Sequence, residues 1–166
     1  MYLVLLGVVV LTGLMLWGKS NQASTPPSQS IQGGTANLSS PPLSVEEKLY
    51  DFGTISMSKG KASRVFKVNN VSAKDVNLES ITTSCMCTVA YIVNDLSRKG
   101  PFGMPGHLAV PKANEIIKVG ETRDIEIIYD PAAHGPAGVG PIDRFVYLVD
   151  SDGNMLQLEI KAVVTP

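Results

Sequence analysis

Cysteine and histidine are scarce in this sequence, with two of each among 166 residues. Acidic and basic side chains almost cancel, fifteen against fourteen, giving a formal net charge of -1. Without a basic excess there is no electrostatic footprint for a phosphate backbone, so nucleic acid is not an expected partner. The sequence contains no CxxC pair, no phosphate-cradling glycine loop and no obvious carboxylate dyad. Their absence removes the usual signatures of a redox dithiol, a nucleotide site and acid–base hydrolysis. A Cys–His hydrolase needs one nucleophile, a base and an orienting group, and a second cysteine close by is of no use to it. Glu46, Glu47, Asp124 and Glu126 read as solvated surface. Neither catalysis nor a small-molecule substrate is expected. Helical patterning is also sparse, while 15 Gly and 11 Pro favour turns, and together these lean toward a turn-rich β protein.

One long apolar run stands apart. MYLVLLGVVVLTGLMLW, residues 1–17, carries no charged side chain. At about 1.5 Å per residue, a helix of this length just reaches across a hydrocarbon core of roughly 30 Å. No basic residue precedes the run and no A-x-A pattern follows it, which favours an N-terminal transmembrane anchor over a cleaved signal segment. Lys19 is the only charged side chain near its flanks, so charge fixes the orientation only weakly. Residues 18–44 are dominated by Ser, Thr, Pro, Gly, Asn and Gln. Such a segment buries too little apolar surface to offset its ordering entropy. It is expected to be a disordered, flexible linker with a reach on the order of 30 Å.

From about Val45 to Pro166 the apolar residues recur at every second position. In RVFKVNN (64–70), Phe66 and Val68 share a face with Arg64 and Asn70. RDIEIIYD (123–130) places Ile125, Ile127 and Tyr129 on one face. RFVYLVD (144–150) is apolar on both faces and is expected to be a central strand. NMLQLEIKAVV (154–164) points Leu156, Leu158, Ile160 and Ala162 inward. DSDG (150–153) between the last two supplies a hairpin turn. With LYDFGTI, DVNLESIT and CTVAYIV as further strands, about seven short strands predict an all-β, antiparallel, immunoglobulin-like sandwich over residues 45–166.

YDFGTI (50–55), VFKVNN (65–70), TSCMCTV (83–89) and VGETRDIEIIYD (119–130) carry a pattern of D-F-G-x-I, F-x-x-x-N, S-C-x-C-T and a glycine–glutamate pair before a strand. Over about residues 46–164 this resembles the bacterial exported domain-of-unknown-function family 1573, which is similar to Hydin-type and major-sperm-protein-like immunoglobulin folds. Two positions depart from it: Met86 stands where the family usually has glycine, and Val119 where it has proline. The resemblance implies the fold and an extracytoplasmic setting, and it implies no reaction. A single-pass protein of the cytoplasmic membrane is then expected, with its domain facing the periplasm or cell surface.

Both cysteines fall in TTSCMCTVAYI (82–92). In a strand, Cys85 and Cys87 would face one object, with Cα atoms about 6.5–7 Å apart, at or past the limit for an unstrained disulfide. A disulfide there needs a turn. Thiols outside the cytoplasm need burial, pairing or metal. Both histidines lie in Gly/Pro-rich loops: Met104 and His107 in RKGPFGMPGHLAVP (98–111), and His134 in DPAAHGPAGVGP (130–141). Shaped loops on a rigid sandwich are common places for binding sites. Cys85, Cys87, His107 and His134, with Met104 as a soft auxiliary, suit a soft or borderline metal. Copper as Cu(I) is favoured by Cys with Met, and zinc is the alternative for a closed Cys2His2 set. The competing expectation is an immunoglobulin-like interaction module that docks another envelope protein by its sandwich or edge strand, its cysteines structural or disulfide-linked.

Overall fold

The computed structural model describes residues 41–94, 96–107 and 111–166. The expected anchor (1–17) and the linker as far as residue 40 lie outside the described residues. Among the described residues ten strands follow in chain order: β1 Leu43–Ser44, β2 Leu49–Ser56, β3 Ala62–Asn70, β4 Val76–Thr83, β5 Thr88–Asn94, β6 Ser97–Phe102, β7 Glu115–Ile117, β8 Thr122–Tyr129, β9 Gly140–Asp150 and β10 Met155–Thr165. They form two five-stranded sheets, ordered β1-β3-β8-β5-β6 and β2-β10-β9-β4-β7. The fold is an immunoglobulin-like sandwich. The count exceeds seven because β1 and β7, of two and three residues, and the β6 arm of the hairpin with β5 join as edge strands.

The period-two pattern explains the core. On β3, Phe66 and Val68 are buried, and on β8, Ile125, Ile127 and Tyr129 are buried. Phe66 is registered opposite Ile125, so one face of this antiparallel pair supplies a continuous apolar row. Leu156, Leu158, Ile160 and Ala162 of β10 form the matching row of the other sheet. β9 is central as expected, lying between β10 and β4. The strictly antiparallel expectation needs one correction: β2 pairs with β10 in parallel. The chain leaves β1 in one sheet and enters β2 in the other, where it runs alongside its own last strand.

Several residues of the family-like pattern have visible structural work. Gly53 adopts φ 65 and its N–H donates to Asp51 Oδ1 at 2.8 Å, which accounts for glycine after Asp-Phe, because a side chain is strained in that backbone region. Val119 donates its N–H to Asp75 Oδ1 at 3.1 Å. A proline there, as in the resembled pattern, has no such hydrogen to give.

The feature that positions the site is the crossing from β4 to β5. Strand β4 ends at Thr83 in one sheet and β5 begins at Thr88 in the other. Residues 84–87 make that crossing as a bend and turn rather than as the start of a strand. Cys85 and Cys87 are therefore corner residues, not strand residues as the sequence pattern predicts. The polar residues around them outweigh the strand preference of the apolar run that follows.

Candidate metal centre

The corner is fastened to both sheets. Ser84 exchanges two bonds with Phe145 of β9: its N–H donates to the Phe145 carbonyl at 2.9 Å, and its Oγ accepts the Phe145 N–H at 2.9 Å. The Thr83 hydroxyl lies 3.0 Å from the carbonyls of both Cys85 and Thr88, while the Thr88 N–H closes the turn on the Cys85 carbonyl at 3.1 Å. On the far side, the Asp130 N–H donates to the Cys87 carbonyl at 2.8 Å. With the carbonyls taken up in this way, the turn has little freedom to shift, and the two sulfurs are held in place.

The same Asp130 opens the loop that brings the histidine. Its Oδ1 accepts the Ala132 N–H at 3.0 Å, and its carbonyl accepts the Ala133 N–H at 3.3 Å. Gly135, at φ 55, reverses the chain into a short 3-10 turn over Gly135–Gly138. A Cβ at Gly138 would stand 3.3 Å from the Pro131 carbonyl oxygen and 3.4 Å from His134 Cβ. This close packing holds His134 over the corner.

Cys85 Sγ lies 3.2 Å from His134 Nε2. The ligand atoms of Cys85, Cys87 and His134 all lie within 4.8 Å of one another, and among the described residues no further Cys, His, Asp or Glu joins the group. Both cysteines are free thiols. Cys87 is buried at 2% exposure, Cys85 is half-buried and His134 is exposed, so the group opens to solvent from the imidazole side. The three are near enough to close on one ion with small side-chain movements, since metal–ligand bonds run at about 2.0–2.3 Å.

The other two sequence candidates belong to the 98–111 loop. His107 is exposed, in a turn where its N–H donates to the Met104 carbonyl at 3.3 Å, and it is not in the converging group. Met104 is half-buried and follows Gly103, whose carbonyl accepts the Thr83 N–H at 3.2 Å. That backbone bond ties the loop to the end of β4.

Arg144 is the residue that the sequence reading missed. Its Nε–H donates to Cys87 Sγ at 3.3 Å, and its Nη1 donates to the Asp143 carbonyl at 2.8 Å. A signal for it existed. Arg144 shares a face of β9 with Ile142, Val146 and Leu148, all buried, and a charge in an inward row needs a partner. Reading RFVYLVD for its apolar residues alone hid that requirement.

These contacts divide the two thiols. For Cys85, burial pushes the thiol up, but hydrogen bonds from the Cys87 side chain, the Cys87 amide (3.4 Å) and His134, with the charge of Arg144, outweigh it and bring the value down to about 7. For Cys87, burial and the hydrogen bond it gives Cys85 push the thiol up, against opposing bonds from Arg144 and Thr88. A depressed cysteine thus arises here with neither a helix N-terminus nor a CxxC pair.

Residues 43–103 match the family described as a protein of unknown function, DUF1573. The matched part includes Asp51-Phe52-Gly53, Phe66, Asn70 and both cysteines, as the sequence resemblance implies. It ends before β7, so His134 and Arg144 fall outside it. No curated protein matches the chain. Among solved structures, a protein of unknown function from Porphyromonas gingivalis W83 is similar at 17% identity and a TM-score of 0.54, over 73% of this chain and 46% of that one. This chain thus spans a little under half of that structure's length, and the likeness is one of fold. The ASH/PapD-like domain of human CEP192 is also similar, at 11% identity and a TM-score of 0.46, over 75% of this chain and 86% of that domain.

Proposed function

We propose that this domain binds a soft transition metal, Cu(I) in preference to zinc, and holds or delivers it rather than catalysing a reaction. The observation that carries the proposal is the convergence of Cys85 Sγ, Cys87 Sγ and a His134 ring nitrogen within 4.8 Å. Two further features favour copper. A structural zinc site is closed by four protein ligands, whereas three converge here among the described residues. The charge balance points the same way. Two thiolates around one monovalent copper carry a net single negative charge, which the Arg144 guanidinium beside Cys87 offsets. Around a divalent zinc the same thiolates are already neutralised, and the guanidinium adds an uncompensated positive charge.

In this proposal Cys85 and Cys87 are the thiolate ligands and His134 the imidazole, with the Met104 loop as a soft neighbour. The apolar run at 1–17 anchors the chain in the cytoplasmic membrane with the sandwich on the extracytoplasmic side. Thiols in that setting are oxidised unless something occupies or buries them, and a metal does so. Delivery requires a protein partner in the envelope, and the site opens to solvent at the exposed His134, with Met86 between the cysteines 48% exposed.

The test is a titration of the reduced protein with Cu(I) and, separately, Zn(II), each against a competing chelator under anaerobic conditions. One-to-one binding of Cu(I), tighter than zinc under matched competition and weakened in His134→Ala, is the expected result. No Cu(I) binding by the reduced protein would sink the proposal.

A further inference from the structure

The two sulfurs face solvent unequally, and metal binding does not require them to. Cys85 is half-buried, with its Sγ beside the exposed His134 imidazole at 3.2 Å, whereas Cys87 is 2% exposed beneath the corner. Both are free, and the sulfurs lie no more than 4.8 Å apart. A flat strand would have kept their Cα atoms near the limit for bonding, at about 6.5–7 Å. The turn over residues 84–87 replaces that strand geometry. It also curls the second cysteine back over the first, so that the Cys87 N–H points at Cys85 Sγ over 3.4 Å.

We propose that Cys85 and Cys87 form a thiol–disulfide exchange pair, in which Cys85 attacks a disulfide presented from solvent and Cys87 resolves the product. In the first step the Cys85 thiolate attacks one sulfur of the incoming disulfide. That S–S bond breaks, its other sulfur leaves as a thiolate and takes a proton from water, and a mixed disulfide is left on Cys85. In the second step Cys87 loses its proton to water and attacks Cys85 Sγ. The mixed disulfide breaks, and its outer sulfur leaves and is protonated in turn. The incoming disulfide gains two electrons and two protons, and Cys85 and Cys87 end joined by an S–S bond. Reversal requires a thiol donor, two monothiols or one dithiol, running the same steps backward.

Each neighbour of the pair suits this division. Exposure at Cys85 admits the first attack, while burial of Cys87 keeps the resolving sulfur from competing for it. Arg144 Nε, 3.3 Å from Cys87 Sγ, faces the charge left there when Cys87 gives up its proton before attacking. The corner is pinned at Ser84 and Asp130, so the rearrangement is confined to the two side chains and the exposed Met86 between them. The disulfide removes both thiolate ligands, so metal and disulfide exclude each other. The inference shares these sulfurs with the metal site but does not depend on it.

Full-length protein, reduced and stripped of metal with a chelator, is mixed with glutathione disulfide, acid-quenched at intervals and weighed by mass spectrometry. The wild type should pass through a transient one-glutathione adduct to a product lighter by two hydrogens. Cys87→Ser should stop at a stable adduct on Cys85, and Cys85→Ser should react about tenfold slower or worse. A wild type that keeps the adduct without forming the internal disulfide overturns the proposal, and needs no variant to fold. So does a Cys87→Ser protein, with wild-type circular dichroism, that reacts no faster than an unstructured cysteine peptide. A Cu(I) titration of the same preparation separates the two readings: exchange without copper binding removes only the metal function, and copper binding without exchange removes only this inference.

Discussion

The two ends of the sandwich use their polar side chains differently. Where β3 and β9 finish, Asn70 and Asp150 are 1% and 4% exposed, and neighbouring backbone takes up their bonding capacity. Asn70 Nδ2 donates to the carbonyls of Lys74 and Ile117, each at 2.8 Å, and its Oδ1 accepts the Ser72 N–H at 3.0 Å. The Asp150 carboxylate accepts the amides of Asp152 and Asn154 and the Asn154 side chain, at 2.8–2.9 Å. Where β4 and β8 finish, the buried Thr83 hydroxyl is also taken up by backbone, but beside it side chains meet side chains: two thiols, an imidazole and a guanidinium. A polar group bonded to its own turn is satisfied and has closed a loop. Groups that face one another keep lone pairs and protons for something else. The same requirement, that a buried polar atom find a partner, therefore yields a structural knot at one end and a site at the other.

Disabling each end in turn separates their roles. Cys85→Ser with Cys87→Ser should lower Cu(I) affinity by more than about 100-fold, beyond what loss of an outer-sphere partner costs, and leave the β-sheet circular dichroism intact. His134→Ala should follow at roughly 100-fold or somewhat less. At the other end, Asp150→Ala strands the two turn amides and should cost about 1–3 kcal/mol in denaturant unfolding, with Cu(I) affinity of the folded protein unchanged within about twofold. If Asp150→Ala weakens the metal as much as His134→Ala does, the two ends are not independent and the contrast fails.

The closed end was easier to read than the open one, for a physical reason. DSDG announces its turn because aspartate and glycine have few other uses at that spacing, and Asp150 behaves accordingly, the Gly153 N–H donating to its carbonyl at 3.0 Å. The alternating rows of β3, β8 and β10 were legible because burial acts on every second residue of a strand. The open end depends on contacts between residues far apart in the chain. Cys85 and His134 are 49 positions apart, and neither local spacing nor composition says which of two loop histidines will arrive. The cysteine corner was misread as a strand because CTVAYIV has the apolar content of one. Its first residue, Cys87, instead completes the crossing between sheets, which Ser84 and Thr83 hold by hydrogen bonds that no periodicity reveals. Arg144 could have been found, since it interrupts the inward row Ile142, Val146, Leu148 of β9.

A smaller effect sharpens the contrast within the open end itself, between the two sulfurs. With Cys85 brought down to about 7 and Cys87 pushed up by burial, the metal-free protein should titrate asymmetrically. The thiolate is the reactive form, so iodoacetamide labelling of Cys85 should accelerate as pH rises through about 7 and level off above it. Cys87 should remain largely unlabelled over the same range. Arg144→Gln removes a charge that helps to lower Cys85, so the midpoint should move upward and labelling at pH 7 should slow. Peptide mapping of the labelled protein at each pH provides the check. Equal labelling of both cysteines would mean that burial does not distinguish them.

The two histidines, which the sequence presents as equivalents in similar Gly/Pro-rich loops, should behave differently. His134 is placed by a chain of constraints: the Asp130 turn, the reversal at Gly135 and the tight space at Gly138, where an added Cβ would stand 3.4 Å from His134 Cβ. His107 is exposed, in a turn made by its backbone amide rather than its ring. Removing an exposed ring whose backbone does the bonding should change unfolding free energy by no more than about 0.5 kcal/mol. His107→Ala should therefore match the wild type in both Cu(I) titration and denaturant midpoint, while His134→Ala loses affinity and keeps its stability. A substantial loss of Cu(I) affinity in His107→Ala would show that the 98–111 loop closes over the corner when metal arrives, and would turn a three-ligand site into a four-ligand one suited to zinc.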